Sequence, residues 1–427
     1  MQKEKRELLA NRQFLYLWAE QILTQFSYNL VNFSLIINVF KLTKSNFSVG
    51  ILLLCFFFPS ALTTLFAGII SDHFSRKKIM FLANIIWATL VLIYIFALKN
   101  FWAICLMTIL IQITDEFFSN ANTAAIPNVV NKKDLLTANS IFSLTGYLTL
   151  ISGSIFVGIL IRFFSSYAPF IIASFLVYLG AFFVSKLEFE QEVVKMPKKK
   201  VVIHQIEKEI KEGWNFIKNQ SYLKILLSFL VFLQSLLGLI LAISPGFLEN
   251  VLNIKAEDAS FVFILPLGIG LLGASWFLAK QGKKFRKIQL IQKGITLIGF
   301  SGLFLALIAK SPKVANKIIK NTRHFETLLP SSLPLTLIIM AMGFGGALVF
   351  VPAQSSFQER LPSKIRGRVL SVNTLLTYIF SSALTLSSGF IADQIGFFPL
   401  LLVLAILGIF LGSFSKKILI EAKVLEK

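Results

Sequence analysis

The sequence predicts an all-α membrane protein of about twelve transmembrane helices, arranged as two pseudo-symmetric six-helix bundles. Three observations carry this reading. Apolar runs of 18 or more residues recur along nearly the whole 427-residue chain. Only 15% of the residues are charged and 56% are hydrophobic, where a soluble chain carries roughly 25% charged residues. The basic residues fall in the short connections between the runs. A bilayer core about 30 Å thick takes about 20 apolar helical residues to cross. The backbone must satisfy its own hydrogen bonds there, so each run is expected to be a helix.

Taken in order, the expected spans are 13–40, 47–70, 78–98, 101–126, 138–162 and 167–186, then 221–248, 258–279, 288–309, 334–357, 367–391 and 396–415. The apolar stretch after the basic N-terminus is too long for a cleaved leader and is expected to stay as the first helix. Residues 1–186 form the first bundle and 221–427 the second, joined by a charged linker at 187–220. Within that linker Ile203, Ile206, Ile210, Trp214 and Ile217 fall on one side of a helix and charges on the other. Such a helix is expected to lie on the membrane surface or to act as a soluble connector. With the N-terminus in the cytosol, cytosolic segments hold 32 basic residues and outer segments 10. The excess places both termini in the cytosol of a plasma (inner) membrane protein.

An internal repeat agrees with the division. Phe14 and Tyr222 open equivalent helices, as do the stretches around Thr137 and Val369. The two offsets differ by about the length of loop 310–333, which is therefore read as an insertion in the second half. That loop is basic, with Lys310, Lys313, Lys317, Lys320 and Arg323, and is expected to be insertion drift or an attractor of anionic groups. The net charge of +21 does not form one face, so nucleic acid is not an expected partner. Cys55 and Cys105 both fall inside spans and read as small apolar packing residues, with no metal-ligand spacing.

The sharpest local motif is GIISDHFSRKK, Gly68 to Lys78, between the second and third spans. It resembles the cytosolic loop signature of the major facilitator superfamily, and that resemblance implies the major facilitator fold. Gly68 permits close helix approach, and Asp72 can pair with Arg76 or meet a helix N-terminus. The expected latch runs from Asp72 to the start of the eleventh span at Arg366, Gly367 and Arg368. Three further stretches, at Pro127–Ile141, at Pro352–Leu376 with its RGRV element, and the linker helix, resemble the branch containing the enterobactin exporter and the macrolide efflux proteins. That resemblance implies proton-driven export of a small organic molecule.

The resemblance also implies that spans 1, 4, 7 and 10 line a central cavity. Span 1 carries Gln21, Gln25, Tyr28 and Asn32 at helical spacing, and span 4 carries Gln112, Asp115, Ser119 and Asn122. Polar faces inside a membrane are expected to turn away from lipid. Spans 7 and 10 offer only Gln234 and Gln354, so the polarity favours the first half. Asp115 and Glu116 are neighbours about 100° apart on a helix. Asp115 continues the polar stripe and is expected to take up a proton or pair with a cationic substrate. Glu20 is expected near the cytosolic headgroups in a structural role. Asp393 and Arg162 are expected at outer interfaces. A seam of Thr377, Ser381, Thr385 and Ser388 beside Gly389 reads as helix packing.

The expected function is secondary transport by alternating access, as a monomer, with a proton gradient as energy source and no cofactor. Export of a drug or siderophore is the first reading. An importer or uncoupled facilitator is the alternative, because Ser27–Tyr28 stands where many relatives carry glycine–aspartate, and Gly153–Ser154 where antiporters show glycine–proline. A scaffold has no need of polar stripes, and the chain holds no nucleophile elbow, metal-ligand spacing or phosphate loop that would point to an enzyme.

Overall fold

The computed structural model describes residues 8, 10–131, 134–188, 199–311, 333–362 and 365–421. No strand occurs among them. The helices are α1 (Arg12–Thr43), α2 (Asn46–His73), α3 (Arg76–Ala97), α4 (Phe101–Val129), α5 (Leu135–Phe163), α6 (Ala168–Ser185), α7 (Lys199–Lys218), α8 (Ser221–Gly246), α9 (Leu265–Gln281), α10 (Lys287–Lys310), α11 (Leu333–Glu359), α12 (Arg366–Gln394) and α13 (Phe397–Glu421).

Ten helices are long and apolar enough to cross a membrane, and Phe397–Ser413 is a shorter apolar helix. The remaining expected span is α1. It runs for 32 residues, and the Gln, Asn and Ser side chains along it keep it out of that set of ten. Large apolar residues stay exposed along the helices, among them Phe96 at 87%, Trp102 at 71% and Phe163 at 69%. In water such surface is a liability; against acyl chains it costs nothing.

Local chemistry fixes the helix ends. Asn100 caps α4 by accepting from the Trp102 and Ala103 amides at 3.0 and 3.2 Å. Gly396 takes φ +97° after α12, and its amide returns to the Ile391 carbonyl. Two π-helical turns went unforeseen, Phe247–Val251 after α8 and Ser260–Ile264 before α9. Pro245 precedes the first and Pro266 follows the second. A proline cannot donate to the regular ladder, and wider turns recur where that ladder is interrupted.

The chain divides into two units: residues 1–42 with 55–207, and 43–54 with 208–427. In the first unit, α3 packs on both α4 and α6. Its core joins Phe14 and Leu17 of α1, Met80 of α3, Phe118 of α4, Phe142 of α5 and Val184 of α6. In the second unit the closest pairings are α10 with α13, α9 with α11, α10 with α11, and α8 with α12. At the α9–α11 crossing, a Cβ on Gly270 would collide with the Met340 carbonyl, and one on Gly343 with that of Leu267. Only glycine allows this approach.

The linker helix α7 buries Ile217 and partly buries Ile210 in the second unit's core, while Trp214 stays 44% exposed. The side chains of Ile203 and Ile206, and the basic loop at 312–332, lie outside the described residues. Cys55 and Cys105 lie within hydrogen-bonding reach of each other, across α2 and α4.

Candidate functional site

The polar stripe of α1 meets two neighbours. Gln21 donates to the Phe142 carbonyl of α5 at 3.1 Å. A Cβ on Gly146 of α5 would stand 3.2 Å from Gln25 Oε1, so the absent side chain leaves room for this amide. Further along, Tyr28 donates to Gln112 Oε1 of α4 at 3.2 Å, with Asn32 close enough to act on its hydroxyl. Thus Gln21 and Gln25 face α5, while Tyr28 joins the polar face of α4.

On α4, Asp115 is half-buried and makes no hydrogen bond to protein among the described residues. It lies within electrostatic reach of Glu116, Glu20 and Tyr28. Glu116 is the more buried of the pair, at 8% exposure. Ser119 is exposed. Several polar atoms here are buried without a partner among the described residues: Gln21 Oε1, Gln25 Oε1, Gln112 Nε2 and Asn122 Oδ1. Buried polar atoms are normally paired, and an unpaired cluster calls for a ligand or water.

Glu20 sits inside the first unit, packed among other helices. It follows the start of α1 by eight residues, about 12 Å of helix, and is fully buried. Its Oε1 accepts from Thr24 Oγ1 at 2.7 Å and from Asn84 Nδ2 of α3 at 3.0 Å. Its Oε2 accepts from Asn122 Nδ2 of α4 at 3.3 Å. Asn122 is therefore drawn into a cage around Glu20. Asn84 was missed in the sequence; an asparagine inside an apolar span was the available signal.

In the second unit Gln234 and Gln354 are half-buried, and Gln354 Oε1 has no partner among the described residues. The same holds for Asn373 Oδ1 and Thr377 Oγ1 of α12. Asn373 was another polar residue within a span that sequence reading passed over. Ser381 of the small-residue seam donates to Ser235 of α8 at 3.1 Å.

Of the expected latch, the side chains of Asp72 and Arg366 lie outside the described ones, and Gly367 is exposed. Gly68 is half-buried near Asn120 of α4. Arg76 donates to the Ala124 carbonyl at 2.7 Å and to Asn128 Oδ1 at 2.6 Å, tying the start of α3 to the end of α4. Arg368 pairs with Glu212 of α7.

A family model described as Major Facilitator Superfamily matches residues 17–317. Among curated proteins, the uncharacterized MFS-type transporter YfiS of Bacillus subtilis (strain 168) is 25% identical over 397 residues, covering 91% of this chain and 87% of its own. The uncharacterized MFS-type transporter YjbB of the same organism is 24% identical over 152 residues, 34% of this chain and 38% of its own. Among solved structures, the nucleoside transporter NupG superposes with a TM-score of 0.71 at 15% identity, covering 95% of this chain and 98% of that one. A point mutant of the same transporter gives 0.70 at 16% identity, covering 95% and 99%. At such identity these structures establish the fold alone.

Proposed function

The chain belongs to the major facilitator superfamily, and on that premise we propose that it exports a small amphiphilic organic molecule in exchange for protons. The polar face built by Gln25, Tyr28, Gln112 and Asp115 is the surface offered to that molecule. One observation carries the reading: Asp115 stands in a membrane span, half-buried and without a protein hydrogen bond among the described residues, one helical turn from the unpartnered amide nitrogen of Gln112. A carboxylate there is expensive, about 2.5–3.5 kcal/mol on insertion scales, and is kept where ions or substrates pass. Export and proton use follow from the resemblance to the enterobactin-exporter and macrolide-efflux branch. The basic-residue distribution supports cytosolic termini in a plasma membrane. The protein acts as a monomer by alternating access, needing only the proton gradient and no cofactor.

The test is a growth-inhibition panel of drugs and siderophores, with and without the gene, scored with intracellular accumulation. Lower accumulation with the gene present is the expected result. Higher accumulation would replace export by the importer reading, which Ser27–Tyr28 in place of a glycine–aspartate pair favours.

A further inference from the structure

The export reading leaves open which group holds the exchanged proton. We propose that Glu20 carries it, and that the Asn122 carboxamide turns over to accommodate it. This rests on the proton-exchange reading above, and adds a site behind the substrate-facing Asp115.

The geometry begins with what surrounds Glu20. Thr24, Asn84 and Asn122 all donate to its carboxylate. They satisfy an ionised group, but none of them is a cation. No Lys, Arg or His lies against Glu20 among the described residues. A fully buried carboxylate without a counter-ion is costly, and three neutral donors offset only part of that cost. The cage is also tight on its α6 side. A Cβ on Gly180 of α6 would meet Thr24 Oγ1 at 3.2 Å, Asn84 Nδ2 at 3.6 Å and Glu20 Cγ at 3.8 Å. A proton needs no such space, whereas a metal cation needs several oxygen ligands.

The second observation is Asn122. It is 7% exposed, and its Oδ1 is buried with no partner among the described residues. Its Nδ2 meanwhile donates to Glu20 Oε2. Asparagine presents an acceptor at one end of its amide and donors at the other. When a proton from water binds Glu20 Oε2, an O–H bond forms and that oxygen becomes a donor. A half-turn of the Asn122 amide then breaks N–H···Oε2 and forms O–H···Oδ1. The number of hydrogen bonds is unchanged, and one proton has been stored. Reversing the turn returns it to water.

Coupling to substrate follows from Asp115. It lies within electrostatic reach of Glu20, and it is linked in turn to Glu116 of the same helix and to Tyr28. The caging residues from α3 and α6, Asn84 and Gly180, do not titrate. Two carboxylates repel when both are ionised. A cationic group of the substrate at Asp115 cancels that repulsion and lets the proton leave Glu20. Linkage requires the converse, so a proton on Glu20 weakens the hold of Asp115 on a cation.

The experiment is infrared difference spectroscopy of the full chain in liposomes, stepped between acidic and alkaline potassium buffers without substrate. One protonated-carboxyl band is expected to appear on acidification and to vanish in Glu20→Gln. In Asn122→Leu, which removes the acceptor, the band is expected to move to the frequency of a more weakly bonded carboxyl. That variant also serves if Glu20→Gln fails to fold. A Glu20→Gln spectrum identical to that of the parent, or no shift in Asn122→Leu, overturns the proposal. So does loss of the band when sodium replaces potassium at fixed pH, which would mark a metal-cation site. The spectrum requires no transported compound, so it stands or falls separately from the accumulation panel.

Discussion

Asp393, at the end of α12, caps the start of α2 through Asn46. Its Oδ1 accepts from the Asn46 amide at 3.0 Å and from Asn46 Nδ2 at 2.6 Å. Its Oδ2 accepts from the Phe47 amide at 2.9 Å and from Ser45 Oγ at 2.7 Å. The carboxylate thus serves as the N-cap of a helix distant in sequence. Around it, a Cβ on Gly389 would strike the Asn46 carbonyl, and one on Gly50 would stand 2.8 Å from the Thr385 carbonyl. Lys44 adds a pair to Glu249 at 2.5 Å.

Replacing that cap has a definite cost. Asp393→Ala leaves the Asn46 and Phe47 amides without their acceptor, and loss of a cap costs about 1 kcal/mol, up to about 2. Hydrogen exchange at those two amides is expected to speed up several-fold, with exchange in the middle of α12 unchanged. Equal protection in parent and variant would show that the cap does not hold α2.

Asp115→Asn keeps size and removes charge. Substrate-driven proton flux in proteoliposomes is expected to fall at least about fivefold, the lower end of ordinary site-to-site coupling. Binding of a neutral substrate should change little. Full retained coupling would remove Asp115 from the exchange.

Gly146→Val fills the space beside Gln25 Oε1, now only 3.2 Å from where a Cβ would stand. The amide must leave the polar face or the helices must part. The accumulation difference made by the gene is expected to shrink about tenfold, as a loss of about 1.4 kcal/mol in binding implies. Retained export in Gly146→Val would take Gln25 out of the substrate surface.

The Arg368–Glu212 pair joins α12 to the linker helix, and both side chains are 37% exposed. A double-mutant cycle with Arg368→Ala and Glu212→Ala is expected to return about 0.5–1 kcal/mol, the range for such partly solvated pairs. The exchanged pair Arg368→Glu with Glu212→Arg should recover part of it. Thermal unfolding in detergent reads both.

The helices were legible because crossing a bilayer requires long apolar runs, and their order follows from the chain. Even α1 was visible, since its polar residues repeat at helical spacing within an apolar background. The cage at Glu20 was not. The sequence around Glu20 does not show its partners, since Asn84 and Asn122 come from other helices. The cap at Asp393 was likewise hidden, because nothing in the local sequence ties it to Asn46. The split of the α1 stripe between α5 and α4 depends on which helices flank it, and a periodicity cannot report that.

One feature of α2 reaches beyond its own packing. Residues 43–54 group with the second unit and residues from Cys55 onward with the first, so a single rod is shared between two bodies. Pro59 lies within it, and its imide nitrogen has no hydrogen to give to the carbonyl four residues earlier. That carbonyl belongs to Cys55, the very residue at which the rod changes allegiance. The backbone can flex at this seam without first breaking a bond. With alanine at position 59 the Cys55 carbonyl would regain an amide partner, and the rod would stiffen at that turn.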